Sequence, residues 1–193
     1  HASLYLLELY PGAPLREEMA QQRWSLAPDD DAADMYLEGM AKLDTAGYHQ
    51  YEISNVAKPD KQSRHNLKYW TDGEWLGFGC GAHSTRDGVR WMNRSGTEDY
   101  IHAVKNRGLV QINTRKLTKE EQLEETLFTG LRLASGVDLD KISHHYGVDV
   151  WAKFRNELQV FLDRGLLSYD QGCLKLTRHG MLLSHEVMRV FVG

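Results

Sequence analysis

The second half of the chain repeats apolar residues at helical spacing, whereas the stretch 48–94 shows no sustained period. Thr118-Lys119-Glu120-Glu121 is a capping box that opens a helix with Leu123, Leu127, Gly130 and Leu131 on one side, closed by Gly136. Asp138 can cap a short helix bearing Leu139, Ile142 and Tyr146 up to Gly147. Trp151, Phe154, Leu158, Phe161 and Leu162 mark the next helix, which Gly165 ends. Residues 166–169 and 173–177, separated by Asp170-Gln171-Gly172, predict a hairpin, and 181–192 a last helix. Three helices, a hairpin and a helix form a winged-helix-like module.

The first half has a different rhythm. Residues 2–10 are rich in apolar and aromatic side chains and predict a strand, with Pro11-Gly12 as its turn. After Pro28 the acidic run Asp29-Asp30-Asp31 supplies cap and dipole partners for a helix carrying Tyr36, Met40 and Leu43, stopped by Gly47. Strand followed by helix is the beat of an α/β layer. Residues 97–107 predict a short helix ended by Gly108, and 109–115 an extended linker. The expected fold class is therefore α/β to α+β, divided into residues 1–113 and a helical module over 114–193. In the aperiodic stretch between, Gly, Asn, Pro, Lys and Trp interrupt short apolar pieces; long irregular segments in compact proteins are usually functional, so a site is expected there.

Composition narrows the partners. The 193 residues are 41% hydrophobic and 10% aromatic, with a formal net charge of −4, which describes an ordinary folded domain without the basic excess that nucleic acid or anionic lipid demands. The module from Thr114 onward carries eleven Lys plus Arg against eleven Asp plus Glu. That neutrality disfavours DNA binding by the winged-helix-like part. Neither an apolar run long enough to span a membrane nor a secretory leader is visible, so a cytoplasmic protein is expected. Cys80 and Cys173 are isolated and read as two reduced thiols. A strand that begins at His1 without an initiator Met points to a cut through a larger domain, so a fragment is expected.

Candidate chemistry concentrates between residues 51 and 84. His65 could ligate iron or zinc, donate to a carboxylate or shuttle protons, and Tyr69 and Trp70 offer flat apolar surface to a porphyrin or another ring. On a plainer view Arg64, His65 and Asn66 satisfy loop carbonyls while the two aromatics anchor the loop. Gly77, Gly79 and Gly81 could let backbone approach a ligand, with His83 and Ser84 at the mouth of the turn; their spacing is not a dinucleotide fingerprint. Cys80 could be a soft metal ligand or a small buried side chain. Glu52 with Ser54-Asn55 could line a site or build a turn. His144-His145 read as surface cations near a helix end, since adjacent helical residues face different directions.

Taken together, Tyr51-Glu52-Ile53-Ser54-Asn55, Arg64-His65-Asn66-x-x-Tyr69-Trp70 and Gly77-x-Gly79-x-Gly81-Ala82-His83-Ser84 closely resemble the HemW family of radical S-adenosylmethionine proteins, relatives of oxygen-independent coproporphyrinogen III oxidase. Ser3-Leu4-Tyr5-x-Leu7 with Pro11-Gly12 resembles that family's last barrel strand, and Gly165-Leu166-Leu167 with Leu176-Thr177-x-x-Gly180 its C-terminal domain. The resemblance implies the terminal strand and helix of a partial β/α barrel joined to the small C-terminal domain. It implies a [4Fe-4S] cluster and S-adenosylmethionine in the full-length parent, haem as ligand, and haem-acceptor proteins as partners; it is compatible with a homodimer. His65 is then the expected haem-iron ligand, with Asn66, Tyr69 and Trp70 around it, and His83 a cofactor neighbour. The family's cluster needs three closely spaced cysteines and this chain has two. The cluster ligands are therefore expected upstream of His1, and the chain alone is expected to be catalytically inactive. The alternatives are oxidative decarboxylation of coproporphyrinogen III and a winged-helix interaction module.

Overall fold

A computed structural model describes residues 1–7 and 9–192. Glu8, inside the expected first strand, and Gly193, the last residue of the expected module, lie outside the described residues. Three small antiparallel sheets, each of three strands, are set among short and medium helices. The described strands form no closed barrel, and the mixed α/β architecture follows the expected class.

The first sheet orders β1 (Ala2–Ser3), β3 (Asn55–Ala57) and β2 (His49–Glu52), with β3 central. The expected strand over 2–10 is thus reduced to two paired residues. Its partner explains why: β3 begins at Asn55, which lies opposite Ser3, so the ladder runs out at the β2–β3 turn. One further bond, from the Leu4 N–H to the Ser54 carbonyl at 2.7 Å, is made at that turn. Beyond it Tyr5, Leu6, Leu7 and Tyr10 are exposed. A short helix, α1 (Pro14–Ala20), follows the turn and is prefigured only by its N-terminal Pro. Helix α2 (Asp29–Thr45) starts on the acidic run and ends before Gly47, whose φ of +79° suits glycine. It lies against the first sheet, donating from the Tyr36 hydroxyl to the Ile53 carbonyl at 2.8 Å.

Within the aperiodic stretch the chain makes a helix, α3 (Arg64–Trp70), and then β4 (His83–Arg86) and β5 (Val89–Asn93). After α4 (Thr97–Lys105) the expected linker is instead a strand, β6 (Gln111–Lys116), paired antiparallel with β5. Its side chains are mostly polar and exposed, so it lacks the alternation that would reveal a half-buried strand.

The remaining residues build the winged-helix-like module. Helices α5 (Lys119–Gly130), α6 (Leu139–Tyr146) and α7 (Val150–Asp163) surround a sheet ordered β7 (Val137–Asp138), β9 (Cys173–Leu176), β8 (Leu167–Asp170). The Thr118–Glu121 capping box closes reciprocally, and Asp138 and Asp149 cap α6 and α7. Leu127, Leu131, Val150, Leu158 and Leu174 are fully buried in one continuous core. Each such aliphatic side chain contributes about 1.5–3 kcal/mol on burial. The expected last helix is broken into α8 (Arg178–Leu182), α9 (Ser184–Met188) and a single 3-10 turn. Leu183 leaves helical geometry at φ −108° and ψ 25°, and the break lets Met181, Val187, Met188 and Phe191 all reach the core.

Candidate functional site

The site is assembled on the hairpin of β2 and β3. Glu52, at the end of β2, is completely buried. Its Oε1 accepts from the Ser54 N–H at 2.9 Å and from the Asn55 side-chain amide, and its Oε2 accepts from Arg132 Nη2 at 3.2 Å. A buried carboxylate is tolerable only with such a complement, and removal of its cationic partner costs about 3–5 kcal/mol. The backbone completes the junction: Ile53 N–H donates to the Arg132 carbonyl at 3.1 Å and Ala134 N–H to the Tyr51 carbonyl at 3.0 Å. Glu52 and Ser54-Asn55 are thus internal turn chemistry, the plainer of their two expected roles.

Helix α3 packs beside this junction. Ser63 caps it, its hydroxyl accepting from the Asn66 N–H at 3.2 Å. Residues four apart share a helix face, so His-Asn-x-x-Tyr-Trp divides into two pairs. His65 and Tyr69 form one: the exposed imidazole meets the Tyr69 ring edge-on at 5.1 Å, and Tyr69 in turn packs on Trp75 at 4.7 Å. Asn66 and Trp70 form the other. The Asn66 amide reaches the Tyr51 hydroxyl at 3.5 Å, and the Trp70 ring lies 4.3 Å beneath the Arg132 guanidinium. Tyr51 is also 2.8 Å from His1 Nε2, and burial pushes its phenol pKa up, against hydrogen bonding from Ser63 and Asn66.

The glycine-rich turn is held from behind. Ser84 and Asn93 are buried; Ser84 Oγ accepts from Gly77 N–H at 3.0 Å, and Asn93 donates to the Gly79 carbonyl at 2.9 Å. A Cβ on Gly77 would sit 2.3 Å from the His83 carbonyl, and Gly79 and Gly81 have φ of +94° and +69°. What the turn presents outward is Phe78, 86% exposed, and Cys80. His83 stands at the start of β4 opposite Met92 and shares no hydrogen bond or ring contact with His65 among the described residues. Between α3, the second sheet and α5 lies a cavity of about 400 Å³ walled by Tyr69, Trp75 and the bidentate Arg90–Glu125 ion pair at 2.6 and 2.8 Å.

Two isolated cysteines do not supply the thiolates of an iron–sulfur cluster. An exposed imidazole on a capped helix, beside an aromatic ring, is the type of donor that haem iron takes. Among the described residues no group of three or more ligating side chains could hold a metal ion, and Cys80 and Cys173 contact Thr97 and the Ser135 carbonyl respectively. Sequence inspection missed Arg132, Trp75 and Asn93. A lone cation inside Gly130-Leu131-Arg132-Leu133 was the available signal for the first; Trp75 and Asn93 carry none.

Residues 117–183 match the HemN C-terminal domain. The fold resembles that of Escherichia coli coproporphyrinogen III oxidase, a radical SAM enzyme, with a TM-score of 0.69 and 19% identity over 90% of this chain and 44% of that one. The fold is therefore that of the C-terminal portion of HemN-type proteins. The chain is 36% identical over its full length to the Bacillus subtilis "Heme chaperone HemW", covering 51% of that protein. It is also 36% identical over 97% of its length to the Mus musculus mitochondrial "Radical S-adenosyl methionine domain-containing protein 1", covering 45% of it. The chain is HemW-like and corresponds to the C-terminal portion of such proteins, spanning about half the length of the curated relatives it matches. No helix among the described residues is long and apolar enough to cross a membrane.

Proposed function

We propose that this chain is the haem-handling part of a radical SAM haem chaperone, with His65 as the axial ligand to the iron of the haem cargo. The carrying observation is the division of α3: Asn66 and Trp70 are engaged with the protein, while His65 is exposed, with the Tyr69 ring as its ring contact among the described residues. Haem supplies an iron that takes an imidazole nitrogen, and a macrocycle face that gains from apolar contact. His65 binds the metal, Tyr69 orients the imidazole by its ring edge, and Trp75 backs Tyr69. Trp70 and Asn66 hold the helix. His83, on a separate element, neighbours S-adenosylmethionine in the longer polypeptide, whose cluster ligands are not among these residues.

In this reading residues 1–113 carry the ligand and 114–193 buttress it, with β6 lying across the division, and the cargo passes to acceptor proteins. The alternative activity, oxidation of coproporphyrinogen III, is favoured only by likeness of fold at 19% identity, whereas the 36% identity favours the chaperone. Haem titrated into the full-length polypeptide should give a red-shifted Soret band and saturable binding. His65→Ala should abolish the shift and weaken binding, and an unaltered spectrum in that variant would remove His65 from the site.

A further inference from the structure

Both ends of α3 are tied to one dipeptide. Asn66, in its first turn, reaches the Tyr51 hydroxyl, and Trp70, its last residue, is covered by Arg132, which is paired to Glu52. Successive residues of a regular strand face opposite ways. Here the register between β2 and β3 shifts between Gln50 and Glu52, a bulge that frees Tyr51 and Glu52 from strict alternation and lets both serve the same helix.

The helix needs these ties. It has seven residues and buries none of them fully, and so short a helix has little stability of its own. The tie at Trp70 is not the arrangement that stability alone would select. Trp70 Nε1 and Arg132 Nε are buried and find no hydrogen-bond partner among the described residues, and a buried ion pair is often replaced by apolar side chains at no cost. What the contact does supply is direction, because a guanidinium held over an indole face and fixed to a carboxylate restricts where the ring can lie.

We propose that Arg132 is a positioning residue for His65: by joining Trp70 to Glu52 it sets the tilt of α3, so the HemN C-terminal domain governs haem ligation through that helix. The inference rests on the haem reading given above. His65 lies five positions from Trp70, and with a rise of about 1.5 Å per residue a tilt of about 15° displaces it by about 2 Å. Productive sites tolerate about 0.5 Å. Loss of a side chain that orients a ligand typically weakens metal binding about 10- to 100-fold.

The test is haem titration of the full-length polypeptide carrying Arg132→Met, Arg132→Lys or His65→Ala, and the double variant Arg132→Lys/His65→Ala. Arg132→Lys keeps the charge beside Glu52 but loses the guanidinium over Trp70, so it stands in should Arg132→Met not fold. The expected result is an Arg132→Lys protein with its thermal midpoint largely retained, haem affinity lowered about 10-fold or more, a Soret band moved toward that of His65→Ala, and no further loss in the double variant. Wild-type affinity and Soret position in folded Arg132 variants, or an equal additional loss in the His65→Ala background, would overturn the positioning role. If His65→Ala alone changes the spectrum while Arg132 variants do not, the positioning role fails and the haem reading stands. If His65→Ala also leaves the spectrum unchanged, both fall.

Discussion

At the scale of single residues, the pairing of His65 with Tyr69 and of Asn66 with Trp70 decides what the motif can do. The first pair is available to a ligand and the second is consumed by the protein, so Trp70→Phe is expected to disturb the helix more than the cargo's apolar contact. The two aromatics looked equivalent in the sequence because a helix of seven residues gives too few turns to show which face each occupies. Arg132 was hidden for a different reason. Its partners lie far away in sequence, on β2 and α3, and only the folded chain brings them within 3.2 Å and 4.3 Å of its guanidinium. Gly77 gives a sharper residue-level prediction. Since a Cβ there would meet the His83 carbonyl at 2.3 Å, Gly77→Ala should lower stability by about 1–3 kcal/mol in denaturant unfolding, as overpacking generally does. An unchanged midpoint would show that the turn yields at no cost.

At the scale of elements, local signals and tertiary ones separate cleanly. Helices α5, α6 and α7 follow from caps and periodicity and the β8–β9 hairpin from its turn residues, whereas α2 has no side-chain cap and keeps Asp29, Asp30 and Asp31 in its first turn as dipole partners only. The elements that escaped are short or polar. Helices α1 and α3 have seven residues each, β6 buries almost none of its side chains, and the first strand depended on how far β3 extends. The break at Leu183 is set by the core beneath it, which no local pattern reports. The capping box is testable by itself: Thr118→Ala removes the bond from Glu121 N–H and should cost about 1 kcal/mol by chemical denaturation. Leu127→Ala, at the fully buried centre of the same helix, should cost about 2–5 kcal/mol.

At the scale of the molecule, the C-terminal module joins the rest of the chain through backbone bonds and directional ion pairs. Arg132 pairs with Glu52, and Arg178 on α8 pairs with Asp44 on α2 at 2.6 Å. The C-terminal module has the outline of a nucleic-acid reader without its charge, and fluorescence anisotropy at low salt should detect no binding to duplex DNA. His65 is the proposed ligand that this framework presents. The most direct test is chemical rescue: His65→Gly in the full-length polypeptide, titrated with haem and then with free imidazole. The predicted result is loss of the red-shifted Soret band in the variant and its return as imidazole fills the vacated position. A variant that binds haem with the wild-type spectrum before any imidazole is added would contradict the account.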